Sequence, residues 1–299
     1  MARRLLVLAV FLLAGVEKSV GCDACGCSAM GSGVGLMAAF RQNSLGLQYH
    51  YTPFSSALEH AHGARDYFHT METVFRFHLA TRFKGQLNQP YRLNVRRHPG
   101  ENQSLGGFGD TRLSLSYALL DQKPLGKKAT LYVEAGLGVK APTGAYDENL
   151  LNKNLPENFN TGLGAWGGIF QTNIGINLKN SGVALSGNYQ SNWIPEGKYQ
   201  FGDQWSGQAY AFHQFFAGAR LKVTPYAGGA AEWVAQDRQA DGKYAPATGG
   251  SGVFAAVGCN LQVGNWLFGG SFLTPIKQQY SNDEVKAKGR FSLQFARIF

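Results

Sequence analysis

Side-chain character alternates with a period of two along this chain, and that constrains its fold more than any other feature. Around residues 86–96, Leu87, Tyr91, Leu93 and Val95 share one parity, while Gln86, Asn88, Arg92, Asn94 and Arg96 share the other. Successive side chains of a strand point to opposite faces, so such a segment is a strand with one apolar and one polar face. The pattern recurs. Met71, Phe75, Phe77 and Leu79 oppose Thr70, Glu72, Arg76 and His78; Leu131, Val133, Leu137 and Val139 oppose Tyr132, Glu134 and Lys140; Phe291, Leu293, Phe295 and Phe299 oppose Arg290, Ser292 and Gln294. About twelve segments of this kind begin near Leu45, Phe68, Gly85, Gly107, Thr130, Gly164, Gly182, Gly202, Lys222, Gly250, Trp266 and Lys286.

A soluble sandwich with a polar face on nearly every strand would lack apolar surface for a core. A membrane has the opposite requirement: every backbone N–H and C=O inside hydrocarbon must be paired, so a sheet crosses only as a closed barrel, with alternate side chains toward lipid and lumen. The expected fold is therefore all-β, a single closed antiparallel transmembrane β-barrel of about twelve strands. A helical membrane bundle does not fit a mean hydropathy of -0.20, and 13% aromatic residues argue against disorder.

The connections alternate in length as such a barrel requires. Tight turns are expected at Thr81–Lys84, Asn180–Ser181, Gly218–Ala219 and Gly264–Asn265, on the periplasmic rim. Long polar loops are expected at 55–67, 97–106, 142–163, 195–201, 236–249 and 277–285, on the outer rim, with 121–128 as an irregularly long member of the first set. Tyr49, Tyr51, Trp166, Trp193, Trp205, Trp233 and Trp266 stand near strand ends, as interfacial aromatics do. Arg3 and Arg4, an apolar run from Leu5 to Val16, and small Ser19 and Gly21 before Cys22 read as a secretory signal peptide. The chain thus divides into a signal at 1–21, a Cys-rich periplasmic segment at 22–43 and an outer-membrane barrel at 44–299 of a Gram-negative envelope. The terminal Phe299 with Phe295, Leu293 and Phe291 resembles the signal read by barrel-assembly machinery, although Arg297 departs from it.

Two sets of residues carry candidate chemistry. The first is the lumen. By parity it receives Glu72, Arg76, His78, Arg92, Arg96, Asp110, Arg112, Glu134 and Lys140, together with Gln48, His50, Asn94, Asn188, Gln190, Gln208, Glu232 and Arg290. Charges at membrane depth must face water or one another, so this set marks either an aqueous path or a network that fills it. Cations outnumber anions on the early strands, which points to a channel or transporter for a small solute with mild anion preference. The second is Cys22-x-x-Cys25-x-Cys27, whose thiolates would suit copper or zinc. Acylation of Cys22 or a disulfide within the cluster fits the same residues in an exported chain. His60-x-His62 is a further ligand pair, in a loop on the opposite rim, and Cys259 falls on an apolar strand face. The alternative function is accordingly an envelope metal-binding or partner-docking protein anchored by its barrel. Enzyme signals are weak: there is no Gly-x-Ser-x-Gly and no phosphate loop, and His213 has no serine nearby in sequence. Lys and Arg are dispersed rather than gathered in a stripe, which argues against nucleic acid.

Four short motifs carry a family resemblance. Cys22-Asp23-Ala24-Cys25-Gly26-Cys27, Gly107-Phe108-Gly109-Asp110, Lys140-Ala141-Pro142-Thr143-Gly144 and Gly162-Leu163-Gly164, in this order, resemble the outer-membrane transporter barrels grouped with the meta-pathway phenol-degradation proteins. The resemblance implies an outer-membrane barrel with a transport role. It implies neither a substrate nor catalytic residues.

Overall fold

The structure, a computed structural model, describes residues 43–56, 63–98, 101–153, 155–218 and 220–299. The expected signal peptide, Cys22, Cys25, Cys27, His60 and His62 lie outside the described residues.

Fifteen strands form one antiparallel sheet: β1 (Ser44–Ser56), β2 (Arg65–His78), β3 (Phe83–His98), β4 (Glu101–Phe108), β5 (Thr111–Leu125), β6 (Ala129–Ala141), β7 (Trp166–Leu178), β8 (Ser181–Trp193), β9 (Gln204–His213), β10 (Phe215–Ala217), β11 (Leu221–Val234), β12 (Gly250–Val263), β13 (Trp266–Tyr280), β14 (Val285–Ala287) and β15 (Arg290–Ile298). Three of them are continuations. β4 and β5 both pair with β3, β9 and β10 both pair with β11, and β14 and β15 both lie between β13 and β1. The result is a closed barrel of twelve staves, sealed where β1 pairs with β15 from Ser44↔Ile298 to Tyr51↔Phe291. Closure leaves the wall no free edge.

Burial runs opposite to that of a soluble protein. Leu45, Leu47, Met71, Leu87, Leu113, Leu137, Phe170, Val257 and Leu293 are exposed on the outer surface, whereas Gln48, Glu72, Asn88, Asn94, Glu134, Lys140, Ser206, Glu232 and Arg290 are buried inside. Only hydrocarbon makes that exterior favourable, so the barrel spans a membrane. Trp166 pairs with Trp193 and Trp205 with Trp233, all exposed at the long-loop rim, and Trp266 lies at the short-turn rim. These indoles form the expected interfacial belts. Cys259 is exposed on the outer face.

Two connections differ from expectation. Residues 97–106 form no long loop: β3 runs on to His98 and β4 starts at Glu101, extending the hairpin past the rim. The exposed face of β4 carries Asn102, Ser104 and Gly106, and of its apolar side chains only Leu105 packs inward, so no apolar alternation betrays the extension. Nor is 121–128 irregularly long, because β5 continues to Leu125 and the turn is 126–128. Register shifts between Ala118 and Leu120 and between Leu120 and Lys123, with Gln122 at positive φ, displace the parity there.

Leu137, 69% exposed on the outer face of β6, tests the orientation of the wall. Leu137→Arg is expected to destabilise the folded barrel by about 2 kcal/mol in lipid, as a cation facing the acyl chains does. The same change at lumen-facing Asn188 is expected to cost much less, with urea unfolding in vesicles as the readout.

Candidate functional site

The lumen has two unlike walls. One, from β2 to β7, carries ion pairs. Arg96 on β3 donates Nε and Nη2 to the two carboxylate oxygens of Asp66 on β2, at 2.8 and 2.7 Å. Arg112 on β5 pairs with Glu72 on β2. Lys84 reaches Glu134 at 2.7 Å, and Glu134 also accepts from Tyr132 and from Asn173 Nδ2 at 3.2 Å. Arg76 donates Nε to Gln86 Oε1 at 2.7 Å. Across the barrel, Arg290 of β15 grips both oxygens of Glu232 on β11 at 2.8 Å, with Tyr280 donating to the same carboxylate. Each carboxylate is buried, so losing its cation would strand a charge, at roughly 3–5 kcal/mol.

The facing wall, from β9 to β13, is aromatic and aliphatic. Tyr210, Phe212, Tyr226, Ala230, Phe254, Ala256 and Leu273 are buried there in one cluster. They share the inward parity of Gln208, Glu232 and Asn260. The alternation singles out Gln208 and Glu232 of that parity but neither Asn260 nor the apolar members.

The candidate residues are therefore all inside but do not form one cluster. Glu72 meets Arg112, and Asp110 meets Lys140, while Arg96 and Glu134 take partners that sequence reading missed, Asp66 and Lys84. Arg92 lies on the inward parity of β3, its Nε near Gly109. His78 stands apart at the short-turn rim, where its backbone N–H donates to Asn43 Oδ1 at 2.9 Å. His50 and Gln48 occupy the β1 wall beside a small void lined by Tyr226, Ser292 and Gln294. Among the described residues, no group of three or more His, Cys, Asp or Glu side chains could hold a metal ion.

Three of the glycine motifs converge at the long-loop mouth. Asp110 has Lys140 as its ion partner, 3.5 Å away. Its Oδ1 accepts the N–H of Gly144 at 3.1 Å and its Oδ2 that of Leu163 at 2.9 Å. Asp110 thereby ties together both ends of the loop 142–165. The crossing is too close for side chains: a Cβ on Gly144 would lie 2.7 Å from Gly162 Cα, and one on Gly162 would lie 2.6 Å from Gly144 C. Held this way, the loop folds into the mouth. Leu150, Leu155 and Phe159 are buried, Phe159 meets Phe68 edge-on at 5.2 Å, and Asn94 Nδ2 donates to Phe159 O at 2.9 Å. Arg96 covers the same ring at 5.2 Å.

The inserted loop also carries Glu157, buried beside its own kind. Burial first, then the negative charges of Asp147, Asp237 and Glu148, push its carboxyl up to about 7, against a single opposing hydrogen bond from Asn160. Lys153 and Lys198 offset two of those neighbours by pairing with Asp147 at 2.6 Å and Glu148 at 2.9 Å.

A serine does accompany His213. Ser181 Oγ lies 2.7 Å from His213 Nδ1 across the β8–β9 register, on the outer face at the short-turn rim. Thirty-two residues of sequence separate the two, which hid the pair from a linear reading.

With this geometry in view, the comparisons are specific. The model of the family named for the MetA-pathway of phenol degradation matches residues 39–271 of the 299. The chain belongs to this family. Among solved structures, an outer membrane channel from Pseudomonas putida F1 superposes with a TM-score of 0.63 at 13% identity, covering 86% of this chain and 96% of that one. The beta domain of the Bordetella autotransporter Brka gives 0.52 at 10% identity, covering 86% and 100%. Both show the fold, a closed outer-membrane barrel, which places the chain in the outer membrane. No curated protein matches the chain.

Proton linkage gives the mouth a pH dependence. The docked loop holds the Glu157 proton more tightly than a solvated loop would, so docking is strongest below the ordinary carboxyl value of 4.5, weakens as pH rises toward about 7, and is level above that. Proteinase K cleavage at 151–153, normalised to a denatured substrate at each pH, is expected to accelerate between pH 5 and pH 8. Glu157→Gln should flatten the profile, and Asp110→Ala should give fast cleavage throughout.

Proposed function

We propose that this protein is an outer-membrane channel for small anionic solutes, favouring those with an apolar ring. The charge of the lumen carries the reading. Five carboxylates, Asp66, Glu72, Asp110, Glu134 and Glu232, face inward together with eight cations, Arg76, Lys84, Arg92, Arg96, Arg112, Lys140, Lys222 and Arg290. The named groups thus leave positive charge inside a low-dielectric wall, which attracts anions and repels cations. The aromatic wall of Tyr210, Phe212, Tyr226 and Phe254 offers an apolar ring a surface that bulk water does not. Likeness in fold to a Pseudomonas putida outer membrane channel, together with the family assignment, supports the same role.

The reading assigns no catalysis to the barrel; the Ser181–His213 hydrogen bond is taken as a cross-strand tie. It also gives the closing strand β15 a role in recognition by the assembly machinery, since its pairing with β1 is the last seam.

Planar-bilayer recordings test the proposal. In a potassium chloride gradient the reversal potential is expected to report anion preference, and benzoate is expected to permeate in place of chloride. The double change Arg76→Glu, Arg92→Glu should move the reversal potential toward the cation value by most of its range. Cation preference in the unaltered protein, or no conductance, would contradict the reading.

A further inference from the structure

A cavity of about 820 Å³ opens at the long-loop rim outside the inserted loop. It is walled by the ends of β8, β11, β12 and β13 and by the connections 194–203, 235–249 and 281–284; none of its lining comes from the loop 142–165, which touches it from behind, where Tyr146 meets Phe201 at 6.1 Å. We infer that this cleft is a saccharide-binding site at the outer surface, separate from the lumen.

Its walls have the composition that sugar recognition requires. A pyranose presents a face of C–H bonds and a rim of hydroxyls, so a receptor needs aromatic faces for the first and planar amides or carboxylates for the second. Trp233, 48% exposed, Tyr244, 60% exposed, and Tyr189 supply the faces. Gln200, Gln236 and Gln279 supply amides that can donate and accept together. Asp203 is already oriented, accepting the Tyr189 hydroxyl at 2.5 Å and the Asn192 N–H at 3.1 Å. Arg238 lies over the Tyr244 ring at 5.0 Å, which fixes that ring as a platform.

The loops that form the cleft are tied before any ligand arrives. Gln200 and Arg238 exchange two backbone hydrogen bonds of 2.8 Å. Asp237, buried and pushed up to about 6 by that burial, accepts from Gly202 N at 2.6 Å and from Tyr199 at 2.8 Å. A preformed site loses less entropy on binding. The same lining argues against other ligand classes. One arginine against one carboxylate leaves nothing to neutralise phosphates, so the cleft would hold the neutral hexose units of a saccharide and not its charged groups, and the amides would be left unpaired by an acyl chain. The volume is within the range of small-ligand sites.

Two sources could present such a sugar, a free oligosaccharide outside the cell or the saccharide headgroup of a glycolipid in the outer leaflet. Calorimetric titration of the detergent-solubilised full chain separates them with two probes, core oligosaccharide released from lipopolysaccharide and intact lipopolysaccharide in mixed micelles. Binding of the released oligosaccharide points to sugar recognition independent of the membrane; binding of intact lipopolysaccharide alone points to the headgroup held in the leaflet. In either case Trp233→Ala and Gln279→Ala are expected to weaken binding at least tenfold. Trp166→Ala, at the same rim but outside the cleft, should leave it unchanged. Heat-dependent gel mobility establishes that each variant is folded, and a variant that fails this is replaced by Trp233→Leu, which keeps the apolar bulk. Binding that survives both cleft substitutions, or the absence of binding by either probe, overturns the inference.

Discussion

An unpaired amide inside hydrocarbon costs several kcal/mol, and everything else in this molecule follows from meeting that cost along more than a hundred residues of strand. The seam between β1 and β15 satisfies the last open rows of donors and acceptors. Once the sheet is closed, each stave has one face toward lipid and one toward the interior, and residue chemistry must alternate accordingly. Leu45, Leu47, Tyr49 and Tyr51 face out because Gly46, Gln48 and His50 face in.

Closure at twelve staves produces an interior too wide to fill with a compact core and narrow enough for opposite walls to feel each other. This chain fills it unevenly. Buried carboxylates are met by arginine or lysine, an aromatic wall stands opposite, and one loop is folded into the mouth by a single aspartate. The charged pairs stabilise little relative to apolar packing of the same volume; their consequence is a polarised passage. Selectivity and structure therefore draw on the same side chains, while the mouth adds a separate layer of control through a loop whose docking depends on a buried proton.

Much of this was legible in the sequence, because lipid and lumen impose period two and turns interrupt it. Eleven of the twelve staves begin within about three residues of where alternation places them, the fourth starting at Glu101 and not near Gly107, and the inward parity of Glu72, Arg92, Glu134 and Lys140 holds. Alternation ceases to inform where the membrane stops, so the β3–β4 extension looked like a loop. Asp66 and Lys84 were missed because a polar residue at a strand end says nothing about its face. The partner of Arg96 is set by register, Asp66↔Arg96, and the neighbour of Lys140 by the approach of three motifs from separate strands. Phe212 and Phe254 were passed over because an apolar residue on the inward parity looks like noise in a polar pattern. Only the closed sheet shows that several of them meet.

The central claim, that alternate residues of each stave touch acyl chains while their neighbours face an enclosed interior, is tested most directly by spin labels placed singly at residues 131–139 of β6 in lipid vesicles. Accessibility to oxygen, which partitions into hydrocarbon, is expected to peak at 131, 133, 135, 137 and 139 and to fall at the residues between. Oxygen accessibility that varied smoothly along the strand, or that followed the even residues, would contradict the account.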